Sequence, residues 1–222
     1  MAAAAAPATA RFRLILGGRL SYGNAISAPS PLWGEGSGVR GTVGVAGFAP
    51  RALELKDGTK VHVRPIEPSD EPLLHEAVAA MSERTVYFRF FTPLKRMPDA
   101  LAHRLAVVDY HDRFAIVATM NRPNGKERIV GVARYDRASG TNVAETAVAV
   151  VDEFQRRGLG SALLAILAKV ARQEGIKTFS LIVLPENQQM LGLLRKMGWI
   201  HQARLAGGVY EISFDLPAEV DS

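Results

Sequence analysis

The chain contains no cysteine. That excludes disulfides, thiolate metal sites and cysteine nucleophiles, and makes a reducing, cytoplasmic compartment the simplest setting. Long apolar runs are also missing. No stretch reaches the ~18 residues that a membrane-spanning helix needs, so no membrane partner is expected. Acidic residues are scarce in the first fifty positions, where Glu35 stands alone against Arg11, Arg13, Arg19 and Arg40. This segment therefore holds +3 of the formal net charge of +5, leaving only +2 for everything after it. A high overall pI is then weak evidence for nucleic acid, and no long basic run or basic-aromatic platform supports one.

Residues 1–50 open on an alanine run and continue rich in Gly, Ser, Pro and Ala. Such a segment cannot bury enough apolar surface to offset its ordering entropy, so it reads as a disordered or dispensable extension. It is also Arg-bearing and acid-poor, like a transit peptide, but the weight falls on the dispensable extension. Residues 51–216 read as one domain, and 217–222 as a tail. At 48% hydrophobic the chain can bury a sizeable core.

The stretch from 144 to 161 organises that domain. Val148, Val150 and Val151 lie in an apolar, β-branched run that reads as a buried strand. A short acidic turn follows, and then Gln155-Arg156-Arg157-Gly158-Leu159-Gly160-Ser161 opens a helix. Leu163, Leu167, Val170 and Ala171 recur at helical spacing, and Gly175 stands where a left-handed residue would end the helix. The first amides of a helix have no internal partner and carry the positive end of its dipole. Beside glycines and arginines they form an anion site suited to phosphate. The plain alternative is an ordinary strand–loop–helix joint with two solvated arginines, and composition alone gives the two even odds. A P-loop is excluded because Ser161-Ala162 follows Gly160. A dinucleotide fingerprint is excluded because Leu163 occupies the third glycine position.

Elsewhere, Asp57-Gly58 is a turn between strands at 53–55 and 61–66. Ser69 or Asp70 is expected to cap a helix to about residue 81, Ser82 one over 83–90, and Pro98-Asp99 a third to about 107. Of the clustered rings Tyr87, Phe88, Phe90 and Phe91, core packing is the ordinary fate. His75-Glu76 lacks a second histidine one turn on, where Ala79 stands, so no metal site is expected there. Strands at 114–119 and 128–135 flank the Asn124-Gly125 turn, and another holds Glu145. A strand at 178–184, a helix from Asn187 to about 197, and a hairpin of 199–200 with 209–214 complete the chain. The order is helices, an antiparallel meander, then a βαβ crossover: a mixed α/β (α+β) domain.

The glycine–arginine loop after a valine-rich strand resembles the acyl-CoA loop of the GNAT N-acetyltransferases. Residues 55–66 (LKDGTKVHVRPI), 82–91 (SERTVYFRFF) and 108–111 (VDYH) resemble Pat-type bacterial protein lysine acetyltransferase domains, and the match spans about 52–216. The resemblance implies a twisted, mainly antiparallel sheet flanked by helices, with a splayed strand pair holding acyl-CoA. It also implies that the helices over 70–81 and 83–90 border the acceptor groove, so that one or two of the rings Tyr87, Phe88, Phe90 and Phe91 line it. It implies acetyl-CoA as co-substrate, no metal, and a protein lysine side chain as acceptor. A small amine is the alternative acceptor, and a catalytically weak acyl-CoA-binding regulatory module the alternative function.

Removing a proton from a lysine of reference pKa ~10.4 calls for a base. Glu145, a carboxylate on an otherwise apolar strand, is the candidate. Its bland reading is an edge-strand glutamate in water or paired with an arginine. The resemblance places backbone groups of Ala149, Val150 and Val151 on the pantetheine arm. It places the backbone amides of Arg156, Arg157, Gly158, Leu159, Gly160 and Ser161 on the pyrophosphate, where Gln155, Arg156 and Arg157 add donors and charge, and Asn187 on the coenzyme. On local grounds Asn187 reads equally as a helix N-cap. The tyrosine that many relatives carry seven residues after that asparagine is Leu194 here, so the general acid stays unassigned.

Overall fold

A computed structural model describes residues 48–200 and 202–216. Residues 1–47 of the N-terminal extension read from the sequence, and the tail at 217–222, lie outside the described residues. Eight strands form one sheet in the order β1-β2-β3-β4-β5-β6-β8-β7. They are β1 (Arg51–Glu54), β2 (Lys60–Pro65), β3 (Arg113–Asn121), β4 (Glu127–Arg137), β5 (Val143–Val150), β6 (Thr178–Val183), β7 (Gln202–Ala206) and β8 (Val209–Asp215). Five helices accompany them: α1 (Glu71–Ala79), α2 (Glu83–Phe90), α3 (Asp99–Ala106), α4 (Leu159–Gln173) and α5 (Gln188–Lys196).

Every neighbouring pair in the sheet is antiparallel except β5 and β6, which α4 joins by a crossover. Val61 and Val63 are buried while Lys60 and His62 are exposed, the alternation of a half-covered strand. β3 is instead buried almost throughout, as a strand covered on both faces must be. The glycines at 58, 125, 175 and 198 all adopt positive φ, which is why the chain turns or a helix stops at each.

Aromatic rings cross the sheet in a row. Phe114 lies 5.8 Å from Tyr135, Tyr135 6.2 Å from Phe179, Phe179 6.1 Å from Phe214, and Phe214 stacks on Trp199 at 4.6 Å. Tyr135 reaches Phe179 across β5 because β5 offers small side chains there, Ala144 and Thr146. Phe48 joins the row at 6.5 Å from Phe114, so the core extends three residues before β1.

Three expectations are corrected. The rings from Tyr87 to Phe91 are not buried core: Tyr87 is exposed, and half-buried Phe88, Phe90 and Phe91 line the groove, the alternative that the resemblance offered for one or two of them. The final hairpin pairs β8 with 202–206 rather than with 199–200, because Trp199 is buried against Phe214. Asp70 stands at the N-cap of α1 without capping it. Its carboxylate instead receives two hydrogen bonds from Arg64, at 2.7 and 2.8 Å, and one from the Glu67 amide. Arg64 also reaches Glu127 at 2.8 Å, pinning β2 to β4 and to the start of α1.

Candidate active site

β5 and β6 share only three rungs: Val143 with Thr178, Ala144 with Phe179, and Glu145 with Ser180. Beyond Glu145 the strands part. β5 continues to Val150 on β4, and β6 continues to Val183 on β8. A groove of about 810 Å³ occupies the opening, with Ala147 to Val150 on one wall and Leu181 to Val183 on the other. Strand rise makes the run from Glu145 to Val150 roughly 17 Å long. Glu145 lines the joined end and the glycine–arginine loop the far end.

The loop is shaped by two left-handed residues, Arg156 at φ 61° and Gly158 at φ 92°. A non-glycine residue in that region is uncommon, and it turns successive amides toward one side. Gly158 then begins α4 with no side-chain cap and no acidic residue in the first turn. α1, α2 and α3 each place an acid there. The positive end of α4 is thus left without a local counter-charge, facing the groove through Gly160 and Ser161. Ser161 Oγ donates to the Gly158 carbonyl at 2.8 Å, tightening the turn.

The candidate loop residues separate into two groups. Gln155, Arg156, Gly158, Gly160 and Ser161 line the groove. Arg157 does not point there; its Nη1 binds Asp57 at 2.9 Å and its guanidinium lies over Phe154. Leu159 is buried in the core beneath β4, beside Gly131. Gln155 faces the groove with its amide nitrogen already committed to Thr85 Oγ1 and to the Val150 carbonyl. Ala149 and Val150 line the wall, whereas Val151 is buried and its amide donates to Val130 on β4. The side chains of Arg157 and Leu159 and the amide of Val151 are thus engaged within the protein. Asn187 lines the groove and caps α5, its Oδ1 accepting from the Met190 amide at 3.1 Å. Leu194 is fully buried, so no acid group arises at that position.

Several groove residues escaped the sequence reading. Lys56 comes from the β1–β2 turn, its amide bonded to the Arg157 carbonyl and its side chain packed on Gly158. α2 forms the lid-side wall. Its first residues are tied to the loop after β5: Asp152 accepts from the Ser82 amide, the Ser82 hydroxyl and the Thr85 hydroxyl at 2.7–3.0 Å. At its other end Arg89 faces the groove near Glu145 and Asp136. Burial pulls the Arg89 guanidinium below its usual value, against the two carboxylates, which hold it up. On β4, Arg134 and Asp136 are buried charges on the groove wall. Burial draws Arg134 down to about 10, which leaves it cationic at neutral pH. A charged pair two residues apart on an apolar strand was the available sequence signal; the register that sets Asp136 against Glu145 was not visible. Among the described residues, no group of three or more His, Asp or Glu is placed to hold a metal ion, and no helix is long and apolar enough to cross a membrane.

Known proteins share this arrangement. The profile of the Acetyltransferase (GNAT) family matches residues 79–199. An acetyltransferase of Pseudomonas aeruginosa is 30% identical over 148 residues, covering 67% of this chain and 79% of that protein. Acetyltransferase Pat of Mycolicibacterium smegmatis is 29% identical over 173 residues, covering 77% of this chain and 50% of that protein. The chain thus spans about half the length of that Pat. The crystal structure of the GNAT domain of S. lividans PAT superposes with a TM-score of 0.70 at 33% identity, covering 75% of this chain and 97% of that domain. Family match and relatives define an N-acetyltransferase, of a family that uses acetyl-CoA as co-substrate. The chain belongs to the GNAT acetyltransferase family.

Proposed function

We propose that the protein transfers the acetyl group of acetyl-CoA to a lysine side chain of an acceptor protein, by direct attack in a ternary complex. The observation that carries this reading is the position of Glu145 at the point where β5 and β6 separate, with an uncapped helix start and two cationic side chains, Lys56 and Arg156, at the opposite end of one groove. A phosphate-bearing carrier fits that polarity: anion at the loop, thioester toward Glu145. The backbone amides of Arg156 to Ser161 would hold the diphosphate, with the side chains of Lys56, Gln155 and Arg156 beside them. Ala149 and Val150 would flank the pantetheine arm, and Asn187, just past the open end of β6, would contact the coenzyme.

Glu145 takes a proton from the incoming ammonium. The free amine then attacks the thioester carbonyl, the C–N bond forms, the C–S bond breaks, coenzyme A leaves as a thiolate, and the second nitrogen proton passes to that thiolate or to water. Such a leaving group is stable enough to depart without a dedicated acid, which agrees with buried Leu194 at the place where many relatives carry tyrosine. With no cysteine in the chain, a thiol relay through the enzyme is excluded. The same absence fits work in the cytoplasm.

The Pat-like relatives support a protein acceptor over a small amine. The test is turnover of acetyl-CoA by the full chain against a panel of proteins and amines, read by mass spectrometry. Acetylated lysines with stoichiometric coenzyme release are expected. Acetylation confined to small amines would overturn the acceptor assignment. Saturable acetyl-CoA binding with no transfer to any acceptor would leave a regulatory acyl-CoA-binding module in its place.

A further inference from the structure

Five charged side chains meet at the joined end of the groove. Asp136 on β4 and Glu145 on β5 are register partners, so both carboxylates stand on one face of the sheet. Like charges directly opposite on neighbouring strands repel. Three guanidinium groups answer them. Arg113 Nε donates to Asp136 at 3.0 Å, Arg134 Nε stands 3.5 Å from the same carboxylate, and Arg89 reaches over from α2 toward both acids.

The cations outnumber the acids in this cluster, and the most deeply buried of them has spare donors. The Arg134 side chain is 4% exposed. Its Nη1 donates to the Leu105 carbonyl at 3.2 Å and its Nε is held only loosely by Asp136 at 3.5 Å, while Nη2 makes no hydrogen bond. A buried guanidinium ordinarily has its planar fork filled by an anion, because leaving buried donors and a surplus charge unmatched is costly. The walls around it, Phe88, Phe90 and Leu105, are apolar and strengthen any charge pairing made there.

We propose that this end of the groove is a carboxylate-binding subsite, in which Arg134 and Arg89 take a carboxylate carried by one of the two substrates. The source is either an acidic residue beside the acceptor lysine or the far end of a dicarboxylic acyl chain. A carboxylate suits the site because a planar, two-oxygen anion matches the planar fork of arginine. The inference rests on the acetyl-transfer reading, since the subsite adjoins Glu145. It adds a selection rule to that reading: substrates bearing a second carboxylate near the reacting carbon or nitrogen are preferred.

Two pairs of substrates test it with the full chain. One pair is a lysine peptide flanked by Glu against the same peptide flanked by Gln; the other is succinyl-CoA against acetyl-CoA. A charge-assisted hydrogen bond corresponds to a preference of about tenfold or more in kcat/KM for the carboxylate-bearing member. The pair that shows it identifies the source. The ratio should fall toward one in Arg134→Met and in Arg89→Met, and stay between the two in Arg134→Lys, which keeps the charge but loses the fork. Equal rates within both pairs, or a preference that survives both substitutions, overturns the subsite while leaving acetyl transfer standing. Should Arg134→Met fail to fold, Arg89→Met decides, because Arg89 lies on a helix at the groove rim. Should no peptide be acetylated, the transfer reading fails separately. Free glutarate then probes the subsite by thermal shift: stabilisation of the wild type, lost in Arg89→Met, supports it, and no stabilisation overturns it.

Discussion

The aliphatic stem of Lys56 lies across Gly158, with its Cγ and Cε 3.4 Å from where a Cβ on that glycine would stand. The β1–β2 turn is thereby seated on the glycine–arginine loop, and an amide-to-carbonyl bond from Lys56 to Arg157 and an ion pair from Arg157 to Asp57 fasten it there. The groove end proposed to hold the diphosphate is built from two segments a hundred residues apart.

Gly158 and Gly160 therefore answer differently to the same substitution. Gly158→Ala must hold alanine at φ 92° against Lys56, a strain of about 1–2 kcal/mol. Gly160→Ala meets only ordinary contacts at 3.6 Å or more and sits in a helical turn, where alanine is favourable by roughly 0.5–1 kcal/mol. Urea unfolding should show a loss for the first and none for the second. Equal losses would contradict the left-handed geometry.

Lys56→Met and Arg156→Ala should each weaken acetyl-CoA binding several-fold and flatten its salt dependence, since each removes a cation from the anion end. Arg157→Ala should weaken it less, because that guanidinium is spent on Asp57. Isothermal titration at two salt concentrations distinguishes them. A larger effect from Arg157 than from Arg156 would reverse the assignment made here.

Glu145→Gln should lower kcat near neutral pH by about 10²–10⁴-fold, the usual worth of a general base. Activity should return in part at high pH, where more of the amine is already neutral, while acetyl-CoA affinity is unchanged. A pH–rate profile of the variant reads this directly, and unaltered turnover would remove Glu145 from the mechanism.

Asp152 gives a pH dependence of known sign. Burial pushes its carboxyl up, but hydrogen bonds from the Ser82 hydroxyl and amide and from Thr85 outweigh this and hold it below the ordinary 3.8. A depressed acid stabilises the fold above its ordinary value and loses that contribution as pH falls through the folded one. The stability gap between wild type and Asp152→Asn should thus be present at neutral pH and close on acidification below about 3.8. Chemical denaturation across that range measures it; a gap that widens in acid would contradict the hydrogen bonds at the start of α2.

Much of this fold is legible in the chain. Strand alternation at Val61 and Val63, the period of α4, and the terminating glycines 175 and 198 are local signals, and each corresponds to an element. The loop at 155–161 is legible for the same reason, since its shape follows from Gly158 and the helix it opens. What the sequence did not disclose depends on distant partners. Arg157 turns away from the groove because Asp57 is beside it, and Gln155 is occupied because Thr85 is within reach. The rings of α2 looked like core until the row from Phe114 to Trp199 filled it. Arg134 and Asp136 gained meaning only when register set them against Ala147 and Glu145.

The parting of β5 from β6 leaves a seam in an otherwise continuous ladder. Past Glu145 and Ser180, each strand keeps its bonds on the outer flank and has no strand on the inner one. Backbone groups in such a position must find water or a guest. A coenzyme arm bound there would then act as a missing ninth ribbon, and a fall in deuterium uptake along 147–150 and 181–183 on adding acetyl-CoA would record the sheet closing around its acyl donor.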